Sequence, residues 1–336
     1  MSTESTPSTR RWPKPVAAAV MVALFLLGGF GFYIDQEPPR FDVAAATAER
    51  AQARKETVVP GYTTTATLIA VSQRLLNKRG GYLSNDVLPP GVLMDNIPEW
   101  EFGVLQQVRD LTRALRNDMS RSQTQSVEDP DLVIADPQFN VSSDSWLFPS
   151  AEGEYQKGIT ALERYLGRLA DANKSDAQFY ARADNLRRYL EVVESRLGSL
   201  SQRLSASVGH EARNTDLAND ANAQQSTPSP ALVNKKTPWN QIDNVFFEAR
   251  GTTWALAQFL RAIETDFGPV LDNKNARVSL DQIIRELEAA QGPLRSPIIV
   301  NGSGFGLFAN HSLVMGNYVA RANAAIIDLR QLLEQG

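Results

Sequence analysis

Apolar residues run without a charge from Val16 to Ile34 as VAAAVMVALFLLGGFGFYI. As a helix that run is roughly 28 Å long at 1.5 Å per residue, close to the hydrocarbon thickness of a bilayer. It is expected to be a single membrane-spanning anchor. After Asp35 the pattern changes: apolar residues recur in alternating steps of three and four, the spacing of one face of a helix. The longest such stripe is Phe179, Ala183, Leu186, Leu190, Val193, Leu197, Leu200 and Leu204, flanked by Arg182, Arg196 and Arg203. Ser175 followed by Gln178 is a capping box, which predicts a helix from Ser175 to about Val208. Tyr155, Ile159, Leu162, Leu166 and Leu169 form a second stripe, and only Asp171–Lys174 separates the two. An antiparallel helical hairpin is therefore expected.

Three further long helices follow from the same spacing. Val104, Val108, Leu111 and Leu115 share a face between Pro98 and Met119, with Pro98 in the first turn. Ile242, Phe246, Ala249, Leu256, Leu260, Ile263 and Phe267 line up after Thr237-Pro238, with Gly251 and Thr253 weakening the middle. Phe308, Met315, Val319, Ala322, Ile326, Leu329 and Leu333 make a terminal stripe. Shorter helices are expected at Thr65–Lys78, stopped by Gly80-Gly81, and at Leu280–Gln291, capped by Ser279 with Gln282 and closed by Gly292-Pro293.

Other segments break the pattern. Residues 35–60 read as a juxtamembrane spacer, with Pro38-Pro39 followed by an Ala-rich stretch that can take helical form. Residues 209–236 are polar and read as a flexible excursion. Ser120–Pro149 is expected to be an ordered irregular loop, its Phe139, Trp146, Leu147 and Phe148 packed on the helices. Ile298–Val300 is the only plausible strand, and one short strand makes no sheet. The expected architecture is all-α: a transmembrane helix at 16–34, then a bundle of long, heptad-patterned antiparallel helices across 61–336. Matching stripes on several helices favour a bundle within one chain over an oligomeric coiled coil.

Charge sets the orientation. Arg10, Arg11 and Lys14 precede the span, and Asp35 and Glu37 follow it, so residues 1–15 are expected in the cytoplasm and the remainder outside it. Trp12 and Tyr33 mark its two ends. A cleaved signal peptide fits less well, because small residues arrive only at Ala44, Ala46 and Ala48, past a charged stretch. Beyond the span the chain holds 31 basic and 37 acidic residues, a net of −6 that disfavours nucleic acid and anionic headgroups. Cysteine is absent, which removes disulfides, thiol catalysis and Cys-ligated zinc.

The stretch GGYLSNDVLPPGVLMDNIPEWEFGVLQQVRD at Gly80–Asp110 resembles the signature segment of an uncharacterised proteobacterial membrane-protein family, domain of unknown function 2333. The stretches DPDLVIADPQFNVSSDSWLFPSAEGEYQKG and TPWNQIDNVFFEARGTTWAL resemble the same family, and the likeness spans about Thr57 to the C-terminus. It implies a Gram-negative inner-membrane protein with a helical periplasmic part. It carries no active site with it.

Candidate chemistry is sparse. Gly302-Ser303-Gly304-Phe305-Gly306 imitates a phosphate loop but lacks a surrounding βαβ pattern, and a turn entering the last helix accounts for it better. His210 and His311 have no partner at metal-ligand spacing, so neither metal nor cofactor is expected. Asp95, Glu99 and Glu101 surround Trp100, as a glycan-cleaving site would require: an acid, a base and a stacking face. An acidic first helical turn with Trp100 packed inward explains the same residues more economically. Trp146, Phe148 and Tyr155 near Glu152 and Glu154 form a second aromatic-acidic cluster, expected to pack rather than bind. The sequence thus points to a non-enzymatic envelope scaffold in the inner-membrane bilayer, presenting helix faces, the 80–100 loop and Trp100, Trp146 and Phe148 to another protein. A peptidoglycan-active enzyme using Asp95, Glu99 or Glu101 is the alternative from a different class.

Overall fold

The structure, a computed structural model, describes residues 14–122, 127–171, 173, 176–213, 232–296, 298–303 and 306–335. Eleven α-helices appear among them: α1 (Lys14–Ile34), α2 (Val43–Arg54), α3 (Tyr62–Asn77), α4 (Asn96–Ala114), α5 (Pro130–Phe139), α6 (Ala151–Leu169), α7 (Ala183–Ser205), α8 (Ile242–Asp266), α9 (Gly268–Asn273), α10 (Arg277–Ala289) and α11 (His311–Glu334). The all-α expectation holds. α1 is long and apolar enough to cross a membrane, and it projects from the rest with only its last turn covered.

Local chemistry explains most helix starts. Asp42, Asp129, Ser150 and Asn310 each accept a hydrogen bond from a backbone N–H of the following first turn, capping α2, α5, α6 and α11. α3 has no such local residue at Gly61. Its cap comes instead from the end of α8, where Asp266 accepts from the Thr64 N–H and hydroxyl, both at 2.7 Å. The apolar stripes then bury largely as their spacing predicts: the α7 residues from Leu186 to Leu204 and the α11 residues from Met315 to Leu333 all lie in one core, whereas Phe308, counted at the head of the terminal stripe, precedes α11 and is exposed.

Several sequence expectations are corrected. α7 starts at Ala183, with no side-chain cap at Arg182; Ser175 of the expected capping box lies outside the described residues. Tertiary contacts hold the residues before it outside any helix. The Tyr180 N–H donates to the Met119 carbonyl at 2.7 Å, where α4 ends in a π turn, and Phe179 packs edge-on against Phe267. The hairpin of α6 with α7 does not form. α7 lies antiparallel along α11, with Gly316 beside Leu204 and Arg330 paired with Glu194, while α6 packs on α5 and α3. Residues 170–182 are long enough to swing α7 to a better-matched stripe.

α10 begins at Arg277, so Ser279 sits inside the first turn rather than capping it. Ser120–Pro149 contains a true helix, α5, and buries Phe139, but Trp146, Leu147 and Phe148 are exposed rather than packed. Ile298–Val300 forms no strand; a single bridge joins Asn301 to Asn310. The strands lie at the two ends of the polar excursion, where β1 (His210–Arg213) pairs antiparallel with β2 (Leu232–Lys235). Residues 214–231 between them, and Gly304-Phe305 of the glycine run, lie outside the described residues. α2, in the segment read as a spacer, buries Val43, Thr47 and Ala51 and packs on α3.

The helices give the body two ends. The described residues of the links α3–α4, α5–α6, α7–α8 and α10–α11 gather where α1 enters. Gly31 faces Pro90 of the first link, whose Asn85 bonds to Ser145 of the second. Asn244, just after the third, bonds to Glu99 at the start of α4, and Gly292 of the fourth accepts from Arg250. The links α2–α3, α4–α5, α6–α7 and α8–α10 gather at the far end. There Asp266 meets Thr64, Phe179 meets Phe267, and Arg168 meets Asp129.

Candidate functional site

The junction between α1 and the body is built from both sides. Gly80 holds a positive φ of 82°, and a Cβ there would lie 2.8 Å from the Ile34 Cβ, so a glycine is what lets Ile34 bury against this turn. Arg250, in the third turn of α8, grips Glu37 with two parallel hydrogen bonds of 2.6 and 2.7 Å and donates to the Gly292 carbonyl at 3.0 Å. Phe41 lies under the Arg74 guanidinium, 3.8 Å from its ring centre, and beside Trp254. Arg79 bonds to Gln36 and sits over the Tyr33 ring. The segment from Asp35 to Phe41 is therefore clamped along its length.

Next to this clamp sits a buried ion pair. Lys78 Nζ lies 2.5 Å from Glu101 Oε1, with both side chains sealed from solvent. The Glu101 carboxylate also accepts from the Leu83 N–H at 2.9 Å, the Ser84 N–H at 2.8 Å and the Ser84 hydroxyl at 2.5 Å. Lys78 donates in addition to the Gly81 carbonyl. Burial pushes the Glu101 carboxyl up from its ordinary range, while Lys78 and these hydrogen bonds pull against it. Such a pair is tolerable only with further hydrogen bonds to both partners, and Leu83, Ser84 and Gly81 supply them. It closes the 78–84 turn onto α4.

Of the three carboxylates singled out in the sequence, Asp95 and Glu99 lie one turn apart at the start of α4, and Glu101 is turned away from them into its ion pair with Lys78. Glu99 and Glu101, two residues apart on α4, face opposite sides of the helix. Glu99 accepts from Asn244 Nδ2 at 3.3 Å; burial first, then the neighbouring Glu248, raises its carboxyl. Asp95 is exposed at the α4 N-cap and makes no side-chain capping bond. Trp100, offered as a stacking face or a contact surface, is 0% exposed and packs on Trp254 with ring centres 5.2 Å apart. In the second cluster Tyr155 is core, its hydroxyl bonded to the Val141 carbonyl, whereas Trp146 and Phe148 point outward. Glu152 accepts from Asn85 at 2.8 Å, and Glu154 pairs with Lys157. Among the described residues no three His, Cys, Asp or Glu side chains gather as a metal would need. His311 begins α11 and accepts from the Val300 N–H through Nδ1.

A groove of about 880 Å³ runs between α4 and α7. Its charges are already matched: Arg196 with Asp110, Arg203 with Glu248 and Arg188 with Asp118. The α7 arginines are legible as flanks of its stripe, but their partners are not, because they come from α4, its π turn and α8.

The family model described as "Uncharacterized protein conserved in bacteria (DUF2333)" matches residues 8–336. The chain belongs to that family. Among curated proteins and solved structures, none matches it. Membership extends the resemblance seen from Thr57 onward back across α1 and its junction, so span and body fall within one family unit.

Proposed function

We propose that this protein is a membrane-anchored, non-enzymatic scaffold of the bacterial cell envelope, with α1 in the inner membrane, its N-terminus cytoplasmic and the helical body periplasmic. The single observation that carries the reading is the junction. A tether would leave a loose linker after the span, whereas here Ile34, Glu37 and Phe41 are all seated in the body. That arrangement holds the body at a set orientation to the bilayer, which suits display of helix faces to a partner. The three basic residues before α1 and at its start, and the acidic residues after it, support the orientation. Retention of α1 is supported by the same contacts, since cleavage behind it would remove Ile34 from its socket. The α4–α7 groove, open and lined with self-paired charges, is the surface offered to an envelope protein. Of the carboxylates that a peptidoglycan-cleaving reading would use, Glu101 is sealed in its ion pair with Lys78.

The test is crosslinking in intact cells from positions on the α4–α7 groove, such as Val192, with identification of neighbours. A defined envelope protein is the expected product; peptidoglycan and lipid alone would sink the scaffold reading. In parallel, Asp95→Asn and Glu99→Gln should fully complement a deletion strain. Loss of complementation by folded protein would restore the enzyme.

A further inference from the structure

The two ends of the body differ sharply in what they expose. Each of the four links at the α1 end carries exposed large apolar side chains: Leu88 and Leu93 in the first, Trp146 and Phe148 in the second, Trp239 in the third and Phe308 in the fourth. Among the described residues of the far links, only Val58 and Val127 qualify, and Val278 is exposed in the first turn of α10. Outside α1, every exposed aromatic among the described residues lies at the α1 end, and Phe148 and Trp239 are 91% and 86% exposed. A soluble surface scatters such residues singly. Here four separate loops bring them to one end.

Depth follows from the junction. Pro90 packs beside Gly31, three residues inside the uncharged run, which places the 87–93 loop about 5 Å below the end of α1 at the helical rise per residue. Interfacial apolar groups bury about 5–10 Å into the headgroup and acyl boundary. Tryptophan and phenylalanine favour that region, and Arg79, stacked over Tyr33 in the last turn, adds a cation at the end of α1.

Resting on the reading of α1 as a membrane span, we propose that the four links seat the α1 end of the body in the outer-leaflet interface of the same bilayer. The occupant of this apolar face is lipid, by continuity with the span itself, and not a protein partner. This reassigns the 80–100 loop from the partner-facing role that its sequence suggests. The body is then held by one helix and four shallow footings, which prevent it from tilting.

The natural absence of cysteine makes the test direct. Single cysteines at Leu88, Phe148, Trp239 and Phe308 carry an environment-sensitive fluorophore in the full-length chain, reconstituted in phosphatidylethanolamine–phosphatidylglycerol vesicles. Cysteines at Leu24, inside α1, and Val58, at the far end, serve as references. Shallow nitroxide-labelled lipids should quench all four link positions about threefold more than Val58, with protection from aqueous iodide. Quenching at Leu24 but not at one or more of the links would overturn the seating while leaving the span intact. Failure at Leu24 as well would overturn the span reading itself. Links shielded from iodide yet untouched by lipid quenchers would mean a protein or second copy covers the face, which also overturns the proposal.

Discussion

Gly251 lies directly against the Trp100 carbonyl: a Cβ on Gly251 would collide with that oxygen, and a Cβ on Gly103 would collide in return with the Glu248 carbonyl. α4 and α8 thus cross backbone to backbone, with Trp100 and Trp254 packed beside the contact. Gly251→Ala and Gly103→Ala should each cost about 3 kcal/mol, because two main chains cannot yield as side chains do. Thermal unfolding of the full-length chain in mild detergent checks this. A change within error at both sites would show that the helices can part without penalty.

Lys78 and Glu101 form a unit that is more sensitive to halving than to removal. Lys78→Met leaves a buried carboxylate facing only hydrogen-bond donors, at a cost of about 3–5 kcal/mol. The double variant Lys78→Met/Glu101→Leu should recover much of that loss. A double-mutant cycle on chemical unfolding measures it, and simple additivity would contradict the coupling.

Asp35 supplies a pH dependence at the junction. Burial at the helix exit, with Asp95 and Glu37 nearby, raises its carboxyl to about 6, although one side of it stays in contact with solvent. The folded state then holds the proton more tightly than the unfolded state does, so stability falls as pH rises from about 4 through 6. Asp35→Asn should remove this fall and leave the protein more stable than the parent at pH 7.5 but not at pH 4. Melting temperatures across that range give the answer; parallel curves for the two proteins would refute it.

Asp266 caps α3 from 202 residues away. Asp266→Ala should cost about 2 kcal/mol and fray the first turn of α3. Thr64→Val, which keeps the Thr64 N–H bond and loses the hydroxyl bond, should cost less. Hydrogen exchange at residues 62–66 distinguishes fraying from global loss, and unchanged protection in Asp266→Ala would rule the cap out.

Much of the architecture is legible in the sequence. The uncharged run sets the length of α1, and period-three-and-four stripes locate the long helices because burying one face is the only use such a pattern has. Periodicity fails where long-range contacts take over. Residues 176–182 carry helix-compatible spacing, yet the far end holds them out of the helix through Tyr180 and Phe179. Gly251 reads in sequence as a weak point in α8, while in the fold it is what lets α4 approach. Among the candidate residues, Trp100, Trp146 and Phe148 are alike in sequence as large rings beside acidic residues. One is sealed in the core and two stand in the open.

By itself, then, the sequence determined the apolar helix, its charge bias, and the long amphipathic helices, each specified by residues within a few turns of one another. Tertiary structure alone decided their partners. α7 chose α11 over its neighbour α6, Glu37 met Arg250 across 213 residues, and four distant links brought their apolar tips to the end where α1 enters. The reason is physical: helix formation is governed by spacing along the chain, but which stripe covers which, and which loop is left uncovered, depends on surfaces that exist only once the helices have packed.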